Sequence, residues 1–437
     1  MNQLRIENFR CFERFEISFR PRVNLLVGDN ATGKTSLLKA CKYALSTWFA
    51  GFSDENTRWQ TFNSSDFYKV EYAGFSSQEN PIRIFFNFGL SEWQNFHDVK
   101  IPKEQYIGRN TPKNSRSLQS GIMELREYAS SLQMHYLDKE GKLLFQKLRL
   151  PLFVSFSTED IHKKRKIRES AYMSYFPKPS FGYYECLNAD GLFKYWKKRL
   201  LVLKEEDEES PEVQCVCDAI VKALGGEGCN IISKVHVRPM KKDIYYELVD
   251  GRKIPSGLLS DGYRRLVNIV TDIAFRCYLL NGAIKNSDPI ADTYGVVLID
   301  EIDMHLHPTL QSMVAKALSD TFPKLQFIIS SHAPMVMSSV RTDDMNVVYQ
   351  LFYDEKELNC YVRTLNTYGM DTSSIMKRYL GVPIRVLEVQ ERLNQLNTFI
   401  DNEDLVSAKR LLSEMQAEFG DALPELVRAE SNIRFLE

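Results

Sequence analysis

The sequence predicts an α/β fold with a largely parallel sheet, and three apolar runs lead to this prediction. Val23–Val27 is followed by a glycine-rich turn and then by apolar residues at helical spacing. Gly295–Ile299 ends in two acids, and the run at 327–329 ends in Ser-Ser-His. Short apolar runs without alternation are typical of strands that are buried on both faces. We therefore expect these runs to be buried strands of a doubly wound sheet.

The glycine-rich turn has the pattern of a phosphate-binding loop. Residues 28–35 read Gly-Asp-Asn-Ala-Thr-Gly-Lys-Thr, between a strand and a helical pattern. Gly28 and Gly33 permit a tight loop whose amides point at phosphate oxygens, and the start of the helix adds a positive dipole end. We expect Lys34 to reach the β and γ phosphates of ATP, and the Thr35 hydroxyl to ligate Mg²⁺. The residues predicted to bind the nucleotide here are Gly28, Asn30, Ala31, Thr32, Gly33, Lys34, Thr35 and Ser36.

Two carboxylates follow the second apolar run. Asp300 and Glu301 are expected at the carboxyl edge of the sheet, where doubly wound folds bind their ligands. Asp300 is predicted to hold Mg²⁺. Glu301 is predicted to orient or deprotonate the water that attacks the γ phosphate.

Length and composition set broad limits. The chain has 437 residues, 44% of them hydrophobic, which suggests two or three structural units with ample core. The net charge of −1 neither predicts nor excludes nucleic acid as a partner. The eight cysteines are scattered, so we expect free thiols and a cytoplasmic protein. No run approaches eighteen apolar residues, which excludes transport across a membrane by this chain.

The pattern along the chain predicts four parts. Residues 1–100 are interpreted as the first half of an ATPase core, 101–235 as an inserted helical region, and 236–380 as the second half of the core. The inserted region has polar stretches and no sustained heptad, which argues against a coiled-coil arm. Residues 381–437 form a separate helical unit with two apolar stripes and a third helix at Pro424. Those stripes are compatible with packing on the protein's own core, with self-association, or with docking of another protein.

A five-residue string that precedes a long apolar helical pattern resembles a known family motif. Residues 259–263, Leu-Ser-Asp-Gly-Tyr, resemble the Leu-Ser-Gly-Gly-Gln signature of ABC ATPases, although Asp261 and Tyr263 depart from it. The order of the motifs is also that of the ABC family. The resemblance implies an ABC-type ATPase head: a RecA-like core, an amino-terminal β lobe, a helical signature lobe, an inserted α-rich region and a helical tail.

The same resemblance implies how copies associate. In that family the signature of one subunit caps the γ phosphate held by another, so Ser260 and Gly262 imply a head-to-tail homodimer, or a higher homo-oligomer, that binds ATP between subunits. His332 resembles the family's switch histidine, which contacts the γ phosphate. The glutamine of the family's Q-loop has no clear counterpart after the run at 150–156.

Two further segments narrow the resemblance. The start, Leu-Arg-Ile-Glu-Asn-Phe-Arg-Cys-Phe at 4–12, resembles RecF, Rad50 and OLD-type ATPases, in which the arginine at the position of Arg10 lies near the nucleotide. The tail at 400–430 and the segments at 181–187 and 196–199 are similar to PtuA-type ATPases of Septu and retron antiphage systems. That resemblance implies a separate HNH nuclease partner, PtuB, and in retrons a reverse transcriptase with its RNA–DNA product.

Other clusters have more than one interpretation. Basic residues at 163–166 with Arg168, and the set Lys194, Lys197, Lys198 and Arg199 beside Tyr195 and Trp196, suit either solvated faces or nucleic-acid contacts. The acidic run at 205–209 is predicted to be an exposed linker. His305 and His307 fit the ABC D-loop better than a zinc site, and Cys215 and Cys217 are interpreted as structural.

Together, the motifs and the resemblance to PtuA-type ATPases imply a slowly hydrolysing ATPase that regulates a partner nuclease in antiphage defence. Two alternatives stay open: a RecF-like repair ATPase that acts on DNA directly, and the ATPase half of a Toprim-partnered defence pair. No Asp-x-Asp pattern follows His332, so we expect no nuclease site in this chain.

Overall fold

The structure is a computed structural model that divides into two compact units, Met1–Met370 and Asp371–Glu437. It describes residues 1–52, 57–68, 71–72, 75–76, 80–89, 103–112, 120–136, 149–157, 179–189, 192–354, 356–357, 359–382, 385–420 and 423–436. In this part of the chain the strands are β1 (Gln3–Phe9), β2 (Phe12–Ser18), β3 (Val23–Val27), β4 (Glu71–Tyr72), β5 (Phe75–Ser76), β6 (Ile82–Asn87), β7 (Gln105–Arg109), β8 (Leu152–Phe156), β9 (Ile232–Arg238), β10 (Asp243–Leu248), β11 (Lys253–Pro255), β12 (Gly295–Ile299), β13 (Leu325–Ser330), β14 (Val347–Asp354) and β15 (Asn359–Leu365).

A six-stranded sheet forms the centre of the first unit. Its order is β15-β14-β3-β13-β12-β8, and all neighbouring pairs are parallel except β14 with β15. Every residue of β3, β12 and β13 is buried, which explains why these runs show no alternation. Because β3, β12 and β13 are adjacent and parallel, the loops that follow them meet at one edge of the sheet. The predicted α/β fold is confirmed.

The amino-terminal strands belong to a second, antiparallel sheet with the order β2-β1-β6-β7. Burial alternates along β6, as expected for a sheet with one face on the core. This sheet is the predicted amino-terminal β lobe. A third sheet has the order β11-β10-β9, and β10 and β11 form an antiparallel hairpin.

The helices of the first unit connect and cover these sheets. Among the described residues they are α1 (Lys34–Ser46), α2 (Met123–Tyr136), α3 (Phe193–Glu206), α4 (Pro211–Leu224), α5 (Asp261–Asn281), α6 (Pro289–Asp292), α7 (Pro308–Gln311), α8 (Val314–Thr321) and α9 (Pro334–Ser339). The α5 helix begins after Ser260, whose hydroxyl accepts a hydrogen bond from the amide of Tyr263 at 3.4 Å. Helices α3, α4 and α5 pack together and form the helical lobe that follows from the signature.

Two strands between 101 and 235 belong to the core sheets. β7 pairs with β6, and β8 pairs with β12 at the edge of the central sheet. The same region contains the helix α2. The boundaries at 100, 235 and 380 stay predictions.

The second unit contains α10 (Thr372–Tyr379), α11 (Leu387–Asp401), α12 (Leu405–Phe419) and α13 (Pro424–Leu436). The apolar stripes of the last three helices pack on one another, so this unit has its own core. Its buried residues are Leu393, Leu396, Ile400, Ala408, Leu412, Met415, Leu426, Ala429 and Ile433. Of the three interpretations of the stripes, packing within the protein is the one that the structure supports.

Two further expectations from composition can be compared with the structure. All eight cysteines are free thiols. Within the described ranges, no helix combines the length and the apolar character needed to cross a membrane.

Candidate nucleotide-binding site

The loop between β3 and α1 has a backbone that only glycine adopts without strain at two positions. Gly28 has φ +145° and Gly33 has φ +94°. A Cβ atom at Gly28 would lie 2.3 Å from the carbonyl oxygen of Leu351, and one at Gly33 would lie 2.7 Å from Sγ of Cys11. Gly33 is the N-cap of α1, and no side chain caps this helix. The first amides of α1 therefore remain free to bind an anion.

Lys34 lies at the centre of this loop and is almost entirely buried. Its ammonium group donates hydrogen bonds to the carbonyl oxygens of Gly28 at 2.7 Å and Asp29 at 2.6 Å. Burial lowers the pKa of Lys34 to about 8, although nearby acids, Asp29 and Asp300 first among them, act in the opposite direction. The Lys34 ammonium is therefore mostly charged at neutral pH. Asn30 and Ala31 in the loop and Thr35 in the first turn of α1 are exposed.

Thr35 and Asp300 face each other at the carboxyl edge of the sheet. The Thr35 hydroxyl lies 3.2 Å from a carboxylate oxygen of Asp300, whose other oxygen accepts a hydrogen bond from the Ser330 hydroxyl at 2.5 Å. Mg²⁺ prefers oxygen ligands and typically takes one or two from the protein and the rest from phosphates and water. The pair Thr35 and Asp300 fits that requirement.

Glu301 is held in an uncommon backbone conformation. Its φ is +49°, which costs an ordinary residue free energy and persists only where neighbours fix it. The Glu301 amide donates to the Ser330 hydroxyl at 2.8 Å, and the carbonyl of the preceding Asp300 accepts from Arg265 at 2.6 Å. His332, two residues after β13, is exposed, and its amide lies 3.3 Å from a carboxylate oxygen of Asp303.

The signature loop contacts the acidic turn of the same chain. A Cβ atom at Gly262 would lie 2.4 Å from the carbonyl oxygen of His305, so only glycine allows this approach. Arg264 hydrogen-bonds the carbonyl of Leu259 at 2.9 Å and stabilises the loop from its outer side. Gly262 therefore has a packing role within its own chain that the motif alone does not reveal.

Arg10 connects the β lobe to α1 through Asp66, a residue that no sequence motif indicates. Its side chain lies 3.1 Å from Asp66, which is fully buried and also accepts hydrogen bonds from Lys39 at 2.8 Å and Tyr43 at 2.6 Å. Burial raises the pKa of Asp66, but the hydrogen bonds of Lys39, Tyr43 and the Asn63 amide outweigh it, and the net pKa is below the ordinary value. Asp66 therefore carries a charge that fixes Arg10 and Lys39 beside the loop helix.

A polar cavity of about 180 Å³ opens beside Thr35 and Asp300. Its polar lining includes Lys39, Lys42, Gln60, Ser157 and Asn188. Gln60 is a glutamine close to the proposed metal ligands, and no local pattern around it indicates this position. The sequence motifs assign no role to Ser330, Asp66, Gln60 or Arg265. Ser330 and Arg265 lie in or beside recognised motifs, whereas Asp66 and Gln60 come from a segment without any motif.

The candidate nucleic-acid surface on α3 requires a correction. Trp196 is buried, stacks on Phe275 at 4.9 Å and donates to Asp272, so it offers no face to a base. Arg199 is also buried and pairs with Glu212 at 2.6 Å. Lys197 pairs with Asp243 at 2.6 Å, and Lys194 is exposed. The basic residues at 163–168 lie outside the described residues.

The remaining candidates are consistent with structural roles. His305 and His307 are exposed in the turn that follows Glu301, and the described residues contain no group of three or more metal-binding side chains. Cys215 and Cys217 are half-buried free thiols on α4. The acidic run at 205–209 is exposed, as predicted.

The chain is similar in sequence to a known domain family and to several ATPases. Residues 3–214 match the model of an AAA domain. The chain is 39% identical over 127 residues to the retron Vc95 probable ATPase of Vibrio cholerae serotype O1 biovar El Tor, covering 29% of this chain and 24% of that protein. It is 23% identical over 412 residues to the retron Ec83 probable ATPase of Escherichia coli, covering 79% of this chain and 70% of that protein.

A third relative is a Septu protein. The chain is 21% identical over 369 residues to the Septu protein PtuA of Bacillus thuringiensis, covering 84% of this chain and 78% of that protein. Among solved structures, an SMC head bound to the C-winged helix domain of ScpA has 15% sequence identity and a TM-score of 0.46, covering 84% of this chain and 97% of that one. The first retron alignment spans about a quarter of its relative's length.

Proposed function

We propose, starting from the kinship of this chain with the PtuA-type ATPases of Septu and retron antiphage systems, that it binds ATP between two copies and hydrolyses it slowly. The observation that carries this proposal is the cluster at the carboxyl edge of the central sheet. There Lys34, Thr35, Asp300 and Glu301 come together from two separate segments. Such a cluster suits phosphoryl transfer, in which the protein positions the phosphates and stabilises their charge.

Each residue has a distinct part in the proposed reaction. The free amides of α1 and the Lys34 ammonium bind the phosphates, and Lys34 exchanges its carbonyl partners for phosphate oxygens. Thr35 and Asp300 hold Mg²⁺, which would supply charge neutralisation on the phosphates. Glu301 accepts a proton from the attacking water, and Ser330 keeps both acids in place. Arg10 and His332 contact the nucleotide.

A second copy completes the site in this proposal. Ser260 and the amides at the start of α5 provide hydrogen-bond donors at a helix terminus, which suits a γ phosphate. The signature loop reaches the acidic turn of its own chain through Gly262, so its phosphate partner comes from another copy. Isolated chains then hydrolyse ATP poorly, and ATP promotes the homodimer or a higher homo-oligomer.

Two substitutions test the proposed roles. Glu301→Gln keeps the side-chain volume but removes the base, so it should bind ATP, lose hydrolysis by at least about 100-fold and accumulate as the ATP-bound dimer. Lys34→Ala should lose ATP affinity and dimerisation together. The measurements are ATP binding, steady-state phosphate release and light scattering. Turnover at the parent rate in either variant would rule out the role given to that side chain.

We further propose that ATP state controls a separate HNH nuclease of the PtuB kind, which docks on the carboxy-terminal helices. The stripes of α11, α12 and α13 are buried in their own core, so docking uses the outer surface. Val406, Val427 and Phe435 are exposed there. In a retron setting the additional partners are a reverse transcriptase and its RNA–DNA product.

Deleting residues 371–437 tests the docking proposal, because this unit has its own core and its removal leaves the nucleotide site intact. The truncated protein should still bind ATP but no longer copurify with the neighbouring nuclease. Phe435→Ala with Val406→Ser should give the same result with the fold preserved. Unchanged copurification of both proteins would eliminate this docking surface.

The RecF-like alternative predicts direct, salt-sensitive binding of DNA. Because Trp196 and Arg199 are buried, they are removed from the candidate DNA contacts of this alternative. Charge reversal at 163–168 tests the other basic cluster. The Toprim-partnered alternative shares the ATP chemistry and differs only in the nuclease, so copurification separates it as well.

A further inference from the structure

Two cysteines meet beside the phosphate loop. Cys11 lies in the turn between β1 and β2, and Cys360 is at the start of β15. The Cys360 thiol donates to the carbonyl oxygen of Cys11 at 3.7 Å, so the two cysteines are in direct contact. Nearby, the Asn359 side chain donates to the carbonyl of Arg14 at 2.9 Å and holds the two elements together.

The Cys11 sulfur also touches the loop itself. It lies 2.7 Å from the position that a Cβ atom at Gly33 would take, and Ser36 is among the groups that affect its pKa. Gly33 and Ser36 are both part of the proposed nucleotide cradle. A covalent change at this sulfur therefore acts directly on the loop that binds phosphate.

The environment makes Cys11 the reactive thiol of the pair. The hydrogen bond from Cys360 lowers the pKa of Cys11, burial acts in the opposite direction, and the net pKa is below the ordinary value. The pKa of Cys360 is raised by the same contact and by burial. Burial also raises the pKa of the Cys217 thiol to about 12. Cys11 is partly exposed, so a small reagent can reach it.

We propose that Cys11 and Cys360 form a reversible disulfide on reaction with a small-molecule disulfide, and that this oxidation weakens nucleotide binding at the adjacent loop. The Cys11 thiolate attacks one sulfur of the reagent and releases the other as a thiolate, which leaves a mixed disulfide. Cys360 loses its proton to solvent and attacks the Cys11 sulfur, which releases the second thiol. Two protein thiols are oxidised and one small disulfide is reduced to two thiols.

Oxidised glutathione is the probe for this reaction on the full chain. Peptide mapping without reductant should find Cys11 linked to Cys360. The Cys360→Ser protein should stop at the mixed disulfide and carry one glutathione on Cys11, whereas Cys11→Ser should show neither product. Cys217→Ser, which removes a half-buried thiol far from the loop in sequence, is the matched control and should behave like the parent.

The second half of the inference rests on the proposed ATP binding. The dissociation constant for ATP should rise about tenfold on oxidation, equivalent to ~1.4 kcal/mol, and return to its starting value after a dithiol reductant. The absence of the Cys11–Cys360 peptide, or its presence with unchanged affinity, would overturn the proposal. Peptide mapping needs no nucleotide, so it tests disulfide formation whether or not the protein binds ATP. A reduced protein that binds no ATP would contradict the proposed function and would leave the result of the mapping unaffected.

Discussion

Lys34 carries its charge in surroundings that disfavour it, and this gives ATP binding a pH dependence. Its pKa of about 8 lies below the ordinary 10.5 because of burial. Phosphate binds the charged form, so raising the pH from 7 to 9 should raise the dissociation constant for ATP about tenfold. In Lys34→Ala the residual affinity should lack this change. A flat profile in the parent over this range would show that Lys34 stays charged without the ligand.

The same group has the opposite effect on the stability of the free protein. Between its pKa in the folded chain and the ordinary value of 10.5, the unfolded chain binds more protons at this lysine than the folded chain does. The contribution of Lys34 to the free energy of unfolding therefore increases as the pH rises through that window. Ligand affinity and stability should change in opposite directions, and denaturation with and without ATP measures both.

Asp66 is a second residue whose charge is fixed by its neighbours. Asp66→Ala leaves Lys39, Tyr43 and Arg10 without their shared acceptor, so the free energy of unfolding should fall by about 3 kcal/mol. Because folding lowers the pKa of Asp66, its contribution is present above the ordinary carboxyl value of about 3.9 and is lost as the pH falls. Asp344→Ala, at an exposed acid, is the control for urea denaturation. Equal effects of the two substitutions would contradict this role.

Individual residues differ in how far the sequence reveals them. Lys34, Thr35 and Asp300 belong to short motifs with fixed spacing, so the sequence alone predicts that they lie close together. Asp66 and Gln60 reach the site from the loops between α1 and β6, where no periodic pattern exists. Their position depends on long-range packing, which a local pattern does not encode.

At the scale of elements, the start of α5 packs on the turn after β12. A Cβ atom at Gly262 would lie 2.4 Å from a backbone oxygen of His305, whereas one at Gly257, five residues earlier, would meet nothing within 4 Å. Gly262→Ala should therefore displace the signature helix and reduce ATP hydrolysis by at least about tenfold, while Gly257→Ala should keep the parent rate. Circular dichroism checks that both proteins are folded. Similar rates in the two variants would mean that the contact has no part in catalysis.

The elements of the sheet were the easiest to predict from the sequence. β3, β12 and β13 are runs buried on both faces, and their apolar composition shows this directly. The region at 101–235 was harder, because β7 and β8 are short strands that complete sheets begun elsewhere in the chain. β7 belongs to the antiparallel sheet because it pairs with β6, and β8 belongs to the central sheet because it pairs with β12.

At the scale of the whole molecule, the chain consists of two units with separate cores. Leu396 is 1% exposed within the second core, so Leu396→Ala should lower the stability of that unit by about 3 kcal/mol. Val406→Ala, at an exposed position, should change it by less than about 0.5 kcal/mol. Denaturation of the full chain should show the second unit unfolding earlier in the first variant, with ATP affinity unchanged. A simultaneous loss of both units would show that they unfold as one.

The contact between Gly262 and the carbonyl of His305 has a consequence for a pair of chains. The element proposed to close over a neighbour's nucleotide rests against the hydrolytic turn of its own subunit, and Arg265 adds a second link to Asp300. If copies pair in this way, a shift of one signature helix would affect both its own hydrolytic turn and its neighbour's nucleotide, so we expect the two pockets to be coupled. The rate of ATP hydrolysis should then depend sigmoidally on ATP concentration. A pocket that holds ATP should not hydrolyse it while the other pocket of the pair is empty.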